Sequence, residues 1–572
     1  MARSRMVRPE NGTGAVDSRA TRYLCAGVYL DRDFREMVIR RVYNDSKHMV
    51  APSYGFDLVP VVVHAWRAWC LETLRWILTL SVLLGGLVRT PAATVAVAAL
   101  FGLCWCLATA VRSALVALPL KVKERADRFL RRARWRSQSN DLAAQLRSMK
   151  LAWIGSGVLV VAVPVISGMA GIPLTQLLQQ ATITGMLIAV VACGCGAAQR
   201  IALHRTAKGR LPAPKSRRYQ TINEQQYHPY VIYRRPPKEE PQPENFRDIL
   251  ALDDSRKPFV GAGRLIHRWS PPLSIHLLQK GAGSMADREF YPLPFKAHEL
   301  VIHLKDEMQR LDGADDATSL PDFRKADRIF IAEADVPSER DWLLGEPSAD
   351  KINEIIDRPF DRFHHFLEIR TSVVGELVTT VFVRTTVKGR ALSLDFAACA
   401  LTRTPDDYHV LDEYGERRPG AVLRAAVRGI TNILTDTMRS WRLIHVPAIL
   451  LGAFRARRTR VLDAKRGVRI GAKLSVREEK RMPWESAQLD RTLISDHVKL
   501  IEDRLLKAAT EFLRDKGVDI SEFEERATNI INTGIMNLGE SMNVNGSAVG
   551  PHAQVRIDLP ESFGSAAGGG HA

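Results

Sequence analysis

Charge is absent from long parts of this sequence. Residues 151–199 contain no Asp, Glu, Lys, Arg or His, and neither do residues 92–111, although 25% of the 572 residues are charged overall. Because a helix rises about 1.5 Å per residue, the longer run is sufficient to cross a bilayer twice. Ion pathways and proton relays need ionisable groups inside the membrane, so this absence argues against a transporter or channel and favours a packed anchor.

Cysteine is also scarce, and the seven in the chain do not make a disulfide framework. Four of them, Cys104, Cys106, Cys193 and Cys195, lie inside the apolar blocks. Residues two apart on a helix point to nearly opposite sides, so neither pair is a good metal clamp and all four are interpreted as small packing residues. The first 60 residues lack the apolar core of a secretory signal, so we expect no cleaved signal peptide.

Recognisable catalytic motifs are missing as well. His298 and His303 resemble a zinc-binding helix, but they are five residues apart instead of four and do not share a face. Gly261-Ala262-Gly263 and Gly281-Ala282-Gly283 do not continue into a dinucleotide-binding or phosphate-binding motif. We therefore expect no cofactor and no metal site.

A few polar residues remain as candidates for chemistry. The pair His364-His365 stands where a strand is expected to begin, and neighbouring residues of a strand point to opposite faces. Glu333, Asp335 and Asp395 could line a cleft, although solvated loop and edge positions explain them more simply. A catalytic site can be assembled from distant residues, so an enzyme with an unrecognised site in residues 258–415 stays the alternative to a non-enzymatic function.

The first apolar block, residues 76–111, predicts two membrane spans. It is interrupted by Arg89-Thr90-Pro91, which leaves 92–111 as one full span. The other span, 76–88, is short and needs the six preceding residues, with Arg75 extending its side chain to the interface. A re-entrant or interfacial piece is the alternative for this first span.

The second apolar block divides near Gly171-Ile172-Pro173 into spans of about 151–170 and 179–199. The predicted membrane domain is therefore α-helical, with about four transmembrane helices in two hairpins. Gly155, Gly157, Gly168, Gly194 and Gly196 suit close packing between these helices.

Basic residues orient the predicted spans. The net charge is +18, and residues 121–150 alone hold ten Lys or Arg against three acids, whereas the turns on the opposite side hold only Arg89. By the positive-inside rule we expect a multi-pass protein of the cell membrane, with both termini in the cytoplasm and an anionic cytosolic leaflet as its partner. The residues expected to meet lipid headgroups are Arg131, Arg132, Arg134, Arg136, Arg455, Arg457 and Arg458.

The region after the last span predicts a cytosolic α+β domain. Its segments alternate between apolar and polar residues or are rich in β-branched residues, and Gly375 and the Lys388-Gly389 turn separate them. The predicted elements are a strand at 328–334, three antiparallel strands at 366–372, 377–387 and 390–402, and a helix at 295–311.

Two amphipathic segments and a tail follow. Residues 418–460 combine an apolar stripe with arginines, which is typical of an interfacial helix, and a helix that caps the β unit is the equal alternative. Residues 483–520 predict an amphipathic helix that pairs with another subunit or packs on the domain. The tail, 525–572, has short apolar runs between Gly and Asn that predict β rungs needing a partner, which favours a homo-oligomer, or a floppy tail.

Composition divides the chain into nine segments. They are an N-terminal segment (1–71) with a disordered start, a first hairpin (72–120), a basic loop (121–150), a second hairpin (151–199), a Pro-rich linker (200–257), the α+β domain (258–415), the possibly interfacial segment (418–460), the amphipathic helix (483–520) and the β-prone tail (525–572).

Three stretches of the sequence resemble one group of proteins. They are YLCAGVYLDRDFREMVIRRVYNDSKHMVAPSYGFDLVPVV from Tyr23 to Val62, GAKLSVREE from Gly471 to Glu479, and FLRDKGVDISEFEERATNIINTGIMNLG from Phe512 to Gly539. The chain resembles, at both ends, uncharacterised actinobacterial multi-spanning membrane proteins with a cytosolic C-terminal domain. The resemblance implies this architecture and brings no activity or catalytic residue.

Nucleic acid is not an expected partner. Basic and aromatic residues between Arg217 and Arg235 come closest to a nucleic-acid-binding pattern, but their position beside the membrane explains the arginines by lipid contact. The sequence predicts an integral membrane protein that anchors a cytosolic α+β interaction or scaffold domain for an unknown protein partner. A membrane-associated enzyme is the alternative, followed by a transporter or channel.

Overall fold

A computed structural model describes residues 18–233 and 259–532, apart from 112–149, scattered positions from 101 to 172, residues 209, 210, 215 and 282, and the segments 313–318, 337–344, 414–418, 432–439 and 459–469. Most of the predicted basic loop, the predicted disordered start up to residue 17 and the tail from 533 onward lie outside the described residues.

The elements are numbered in chain order. The helices are α1 (Arg19–Leu30), α2 (Arg32–Met37), a π-helix (Val38–Tyr43), α3 (Leu58–Arg89), α4 (Pro91–Leu100), α5 (Leu174–Lys208), α6 (Arg217–Gln226), α7 (Ala297–Gln309), α8 (Ala349–Asp357), α9 (Asp406–Glu413), α10 (Pro419–Thr431), α11 (Val446–Arg458), α12 (Gln488–Asp515) and α13 (Ser521–Asn532). The strands are β1 (Tyr230–Tyr233), β2 (Arg264–Arg268), β3 (Leu273–His276), β4 (Arg324–Ala332), β5 (Phe363–Val373), β6 (Leu377–Lys388) and β7 (Ala391–Leu401).

A seven-stranded mixed sheet organises the C-terminal half. Its strand order is β1-β4-β5-β6-β7-β2, and β3 pairs with the other end of β7 beside β2. Strands β4 to β7 are antiparallel, whereas β1 joins the edge parallel to β4. The β5–β6 and β6–β7 turns place Gly375 (φ 69°) and Gly389 (φ 61°) in the left-handed region that glycine tolerates. The predicted strands and the predicted helix at 295–311 are confirmed.

The two faces of the sheet are covered differently. Helices α7, α12 and α13 pack one face, through a core that includes Leu304, Ile501 and Phe523. The other face holds a smaller aromatic core in which Phe259 stacks on Phe382 with ring centroids 4.2 Å apart. Helix α12 therefore packs on the sheet of its own chain, which is the second of the two roles predicted for it. We call this α+β unit the sheet domain.

A second core lies at the N-terminal side, and we call it the collar. It is formed by α1, α2, the π-helix, the first half of α3, the end of α5 and α6. Two of the stretches that carry the family resemblance meet at its border, because Lys480 pairs with Asp31 at 2.7 Å and Lys473 pairs with Asp45 at 3.1 Å. These ion pairs, together with buried contacts, join the collar to residues 470–480.

The structure departs from the predicted boundaries in several places. Helix α3 runs without a break through the boundary placed at residues 71 and 72, because Leu58–Trp76 continues the same helical apolar pattern. The segment called a linker contains β1, whose Tyr-Val-Ile-Tyr sequence is fully buried at the sheet edge. Residues 525–532 continue helix α13, in which Phe523 and Ala527 face the sheet core, so they are not β rungs.

The segment 418–460 is not one helix. It contains α10 and α11, and a 3₁₀ turn at Ser440–His445 precedes α11. Trp441, predicted at the end of the helical repeat, lies in that turn. Pro447 stands at the second position of α11, where its missing N–H costs no helical hydrogen bond.

Candidate membrane interface

Helix α3 has two environments along its length. In its first half Val59, Val61 and Val62 are fully buried in the collar. After Trp76 none of its residues is buried, and Leu84 and Val88 are 52% and 85% exposed. Only 11% of its most apolar stretch is buried, unlike the core helix of a soluble domain. A continuous exposed apolar surface of this kind requires an apolar partner.

Helix α5 has the same two environments in the reverse order along the chain, with its exposed part first and its buried part last. Its last turns carry Leu203 into the collar, whereas Ile183, Met186 and Val190 near its start are exposed. Helix α4 packs beside it through Ala93 and other small residues. Helices α3 and α5 are both long and apolar enough to cross a membrane. We call the exposed apolar surface of residues 77–88 and 178–190 the apolar belt.

An ionic cluster marks the point on α3 where the collar ends. The carboxylate of Glu72 accepts hydrogen bonds from both Arg32 and Arg35. The guanidinium of Arg32 also lies over the ring of Trp76, 5.2 Å from its centroid. Burial lowers the pKa of Arg35 to about 10, and its side chain additionally donates to the carbonyl of Val28 at 3.0 Å. The sequence analysis missed this cluster, although a single acid inside an apolar helix was a signal for it.

Helix α11 presents an apolar face to the outside of the protein. Leu450, Leu451 and Phe454 are each about half exposed, and in the turn before the helix Trp441 and Ile444 are 63% and 74% exposed. A helix that capped the sheet would bury these residues against it, so their exposure argues against that role. Of the two roles predicted for segment 418–460, the exposed face favours the interfacial one.

The opposite face of α11 attaches to the collar. The side-chain amide of Asn44 donates to the carbonyl of Ile449 at 3.1 Å, and the Nε of Arg457 donates to the Tyr43 hydroxyl at 3.2 Å. This hydrogen bond raises the pKa of Arg457, which stays charged at any physiological pH. The collar therefore holds α11 with its apolar face turned outward.

The residues predicted to meet lipid headgroups lie in different parts of the chain, and only some of them are described by the structure. Arg455 and Arg457 both lie on α11 with exposed side chains, and Arg457 is also the arginine bonded to Tyr43 of the collar. Arg458 belongs to the same helix, but its side chain is outside the described part, and Arg131, Arg132, Arg134 and Arg136 fall in the undescribed loop. A further arginine that prediction missed, Arg442, stacks on Trp441 with 5.9 Å to the ring centroid and pairs with Glu36 at 3.4 Å.

The candidate histidines do not converge. His298 pairs with Asp357 at 2.7 Å, whereas the ring of His303 lies against Phe512. His365 pairs with Asp327 at 3.1 Å across the β4–β5 ladder. In the parts of the chain that are described, no group of three or more His, Cys, Asp or Glu side chains is arranged to hold a metal ion.

The candidate acids are also separated. Glu333 and Asp335 form the 3₁₀ turn after β4, while Asp395 lies on β7 opposite Arg384. Strands β5 and β6 stand between them, which corresponds to a separation of about 14 Å at the usual strand spacing. These three carboxylates therefore do not line one cleft.

The basic and aromatic residues between 217 and 235 are dispersed in the same way. Arg218 is buried and donates to the carbonyls of Val42, Tyr43 and Asp45, where it caps the π-helix. Tyr230 is buried in strand β1. Arg217 and Tyr227 are exposed, and Arg234 and Arg235 lie outside the described residues, so the expectation of no nucleic-acid partner stays a prediction.

One buried polar cluster joins the collar to the sheet domain. Glu376 accepts a 2.5 Å hydrogen bond from the Thr404 hydroxyl and lies 3.3 Å from His409, whose ring stacks against Tyr23. Burial and a hydrogen bond to Asp412 raise the pKa of Tyr23 to about 12. Thr404 is fully buried and bonded directly to the carboxylate, so the cluster holds two units together and does not present a nucleophile.

In a shallow cleft between the collar and residues 473–476, the carboxylate of Asp45 is likewise paired with neighbouring side chains. The cleft is lined by Arg41, Asp45 and His48 among others. Asp45 is bonded to His48 at 2.8 Å and to Lys473 at 3.1 Å. Burial acts to raise the pKa of Asp45, but these two hydrogen bonds outweigh it and lower the pKa.

Comparison with known proteins identifies similarity over part of the chain. A family model described as an AbeC-like domain matches residues 268–545. The match covers just under half of the chain, beginning at the end of β2 and including the sheet domain from there on, α10, α11 and α13. No curated protein and no solved structure matches the chain. The apolar helices α3 and α5 lie outside the matched region.

Proposed function

We propose that this chain is an integral membrane protein that anchors an α+β interaction or scaffold domain at the cytosolic face of the cell membrane. One observation carries the proposal: α3 and α5 each bury one end in the collar and expose an apolar surface at the other end. The collar is in turn bonded directly to the sheet domain. The fold thus supplies a lipid attachment and a domain fixed to it.

Buried hydrogen bonds attach the sheet domain to the collar. Arg477 is fully buried, and its Nη1 donates to the carbonyl of Tyr54 at 3.0 Å. The backbone N–H of Ala20 donates to the carbonyl of Gly375 in the β5–β6 turn at 3.2 Å. A domain on a flexible tether would lack such contacts. They therefore favour a scaffold that holds its protein partners at a fixed position relative to the bilayer.

The proposal includes four spans and a cytoplasmic location of both termini. Helix α4 begins at Pro91 directly after α3 and packs on α5, which supports a second span that starts there. The basic flanks of the predicted spans support the orientation. The anionic leaflet would then face Arg455 and Arg457 on α11.

Membrane fractionation and a topology reporter test the anchor. Membranes containing the full chain are washed with alkaline carbonate, and a reporter that is active only in the cytoplasm is fused after Ala572. We expect the chain to stay in the pellet and the reporter to be active. Release into the supernatant would overturn the anchor, and an inactive reporter with a matching signal from a periplasmic reporter would overturn the orientation.

Assembly is tested on the full chain with two affinity tags. Differently tagged copies are co-expressed and extracted in detergent, and one tag is used for purification. A scaffold that works by self-association predicts recovery of both tags, whereas mixing the copies after extraction gives the background. Recovery at the background level would restrict the scaffold to partners other than a second copy.

A further inference from the structure

We propose that helix α10, which belongs to the C-terminal half and to the AbeC-like region, is embedded in the near leaflet of the membrane alongside α5, with its outer face against lipid acyl chains. The inference rests on the proposed function, because it needs α3 and α5 to lie in a bilayer. It gives α10, which is part of the segment predicted as interfacial, a position beside a membrane span and partly below the headgroups.

The backbones of α10 and α5 are in close contact. A Cβ atom on Gly196 would lie 2.7 Å from the carbonyl oxygen of Ala425, and one on Gly429 would lie 2.5 Å from the carbonyl oxygen of Ala192. The two contacts are one helical turn apart on each helix and run in opposite directions. Helix α10 is therefore antiparallel to α5, packed through small residues as membrane helices are.

The depth of α10 follows from its neighbours. Gly429 touches α5 at Ala192, which lies about 27 Å along the helix axis from Leu174. It also touches α3 at Arg75, which lies about 21 Å from Arg89. With Leu174 and Arg89 at the far surface of a hydrocarbon layer of about 30 Å, Gly429 lies inside the near leaflet, whereas Ala425, which meets α5 one turn nearer the cytosol at Gly196, lies at the near surface of that layer.

The outward face of α10 suits this position. Leu423 and Val427, one turn apart, are 66% and 52% exposed. Between them Arg424 turns back toward the start of the helix, where its Nε lies 3.4 Å from the carbonyl of Gly420. This is the direction in which an arginine extends toward the headgroups. Helix α10 meets α5 at Ala192, directly beyond the apolar belt, so acyl chains are the occupant that this position favours.

Arg75 of α3 is bonded directly to the backbone of α10. The Nη2 of Arg75 donates to the carbonyl of Gly429 at 3.0 Å. The sequence analysis expected Arg75 to extend to the interface. The structure instead directs it to the end of α10, so this arginine serves a second membrane element.

Site-specific fluorescence in nanodiscs tests the proposal. Leu423→Cys and Val427→Cys are made in a cysteine-free full chain and labelled with NBD, and nanodiscs contain lipids brominated along the acyl chain. We expect blue-shifted emission and loss of fluorescence at Val427, and a smaller effect at Leu423, which lies nearer the surface of the bilayer. Leu489→Cys is the control, since Leu489 is 87% exposed on α12 of the sheet domain and should be quenched only by aqueous iodide.

Each other outcome contradicts the proposal. Iodide quenching at Leu423 and Val427 would place α10 in water, and shielding from both quenchers would place a second protein surface there. Because these measurements are made on chains that stay in the membrane after carbonate washing, their failure is distinguishable from failure of the anchor. If carbonate extracted the chain from the membrane, the proposed function would fail before the position of α10 could be measured.

A glycine pair tests the close contact independently. Gly196→Leu forces α10 away from α5, whereas Gly194→Leu on the same helix adds a side chain where nothing lies within 4 Å. We expect the first variant to lose the lipid quenching at Val427 and to keep carbonate resistance, and the second to resemble the parent. Equal quenching in both variants would contradict the packing on which the inference depends.

Discussion

The two halves of α3 have similar apolar composition but opposite surroundings. Val59 to Ala65 are enclosed by α1, the π-helix and other collar elements, whereas Ile77 to Val88 are largely uncovered. Glu72, bound to two arginines, lies between them. One helix thus passes from a protein interior into a stretch whose apolar side chains are exposed in the structure.

This comparison shows that hydropathy alone does not locate the point on a helix where the protein stops covering its side chains. The sequence analysis began the span at the most apolar run, near Trp76, whereas the helix begins at Leu58. Burial, not composition, separates the two halves. Substitutions in the two halves should therefore show their effects in different assays: thermal unfolding for the collar half and carbonate extraction for the belt half.

A charge in the collar half should have the largest effect. Val62 is fully buried, so Val62→Asp places an unpaired carboxylate in the collar core and should cost more than about 4 kcal/mol of unfolding free energy. We expect loss of the cooperative thermal transition of the purified protein in detergent. A melting temperature like that of the parent would show that the collar is not a packed core.

The same charge in the belt half serves as the control. Leu84→Asp leaves the collar intact but costs about 3 kcal/mol in membrane insertion. The variant should keep its detergent melting transition and lose membrane integration, measured by carbonate extraction. If Val62→Asp and Leu84→Asp fail in the same assay, the two halves do not differ as described.

The boundary cluster should have the next largest effect. Glu72→Gln removes the carboxylate between Arg32 and Arg35, and Arg35 stays buried without its partner. Breaking a buried pair of this kind costs about 3 kcal/mol, which denaturant unfolding measures. Replacing the exposed Glu354, which forms only surface pairs with Lys351 and Arg358, should change stability little. Equal effects would make the Glu72 cluster an ordinary surface network.

Sequence predicted the parts of the fold that depend on local pattern. Strands β5, β6 and β7 are long, rich in β-branched residues and separated by glycine turns, so each is recognisable without its neighbours. Strand β1 was missed because its four residues stand among prolines and gain their place only by parallel pairing with the distant β4. A short strand carries too little periodicity to be found alone.

The candidate interface was predictable only in part. The arginines and apolar residues of α11 were visible in the sequence, but whether they face lipid or the sheet depends on Asn44 and Tyr43, far away in the chain. The contact of Gly196 with Ala425 has no local signal, since small residues occur throughout both helices. Long-range packing of this kind requires the structure.

Acid should affect the sheet domain through Asp327. Burial acts to raise the pKa of Asp327, but hydrogen bonds from His365 and Lys305 lower it to about 2. The resulting stability, about 2 kcal/mol, is fully present above the ordinary pKa of 3.8 and is lost as the pH falls through about 2. The unfolding free energies of the parent and of Asp327→Asn should therefore converge over this range. A pH-independent difference would contradict the assignment.

The smallest effect should come from packing inside the belt half, where α3 meets α4. A Cβ atom on Gly86 would lie 2.6 Å from the Thr94 hydroxyl, whereas one on Gly85 would meet nothing within 4 Å. Gly86→Val should therefore cost about 1 to 2 kcal/mol in detergent, and Gly85→Val should cost less. The neighbouring glycines lie on one helix and differ in what surrounds them: Gly86 faces Thr94 of α4 closely and Thr184 of α5 at an ordinary contact distance of 3.6 Å. Because only the Thr94 contact is too short for a side chain, identical melting temperatures would mean that α3 and α4 do not pack closely at this point.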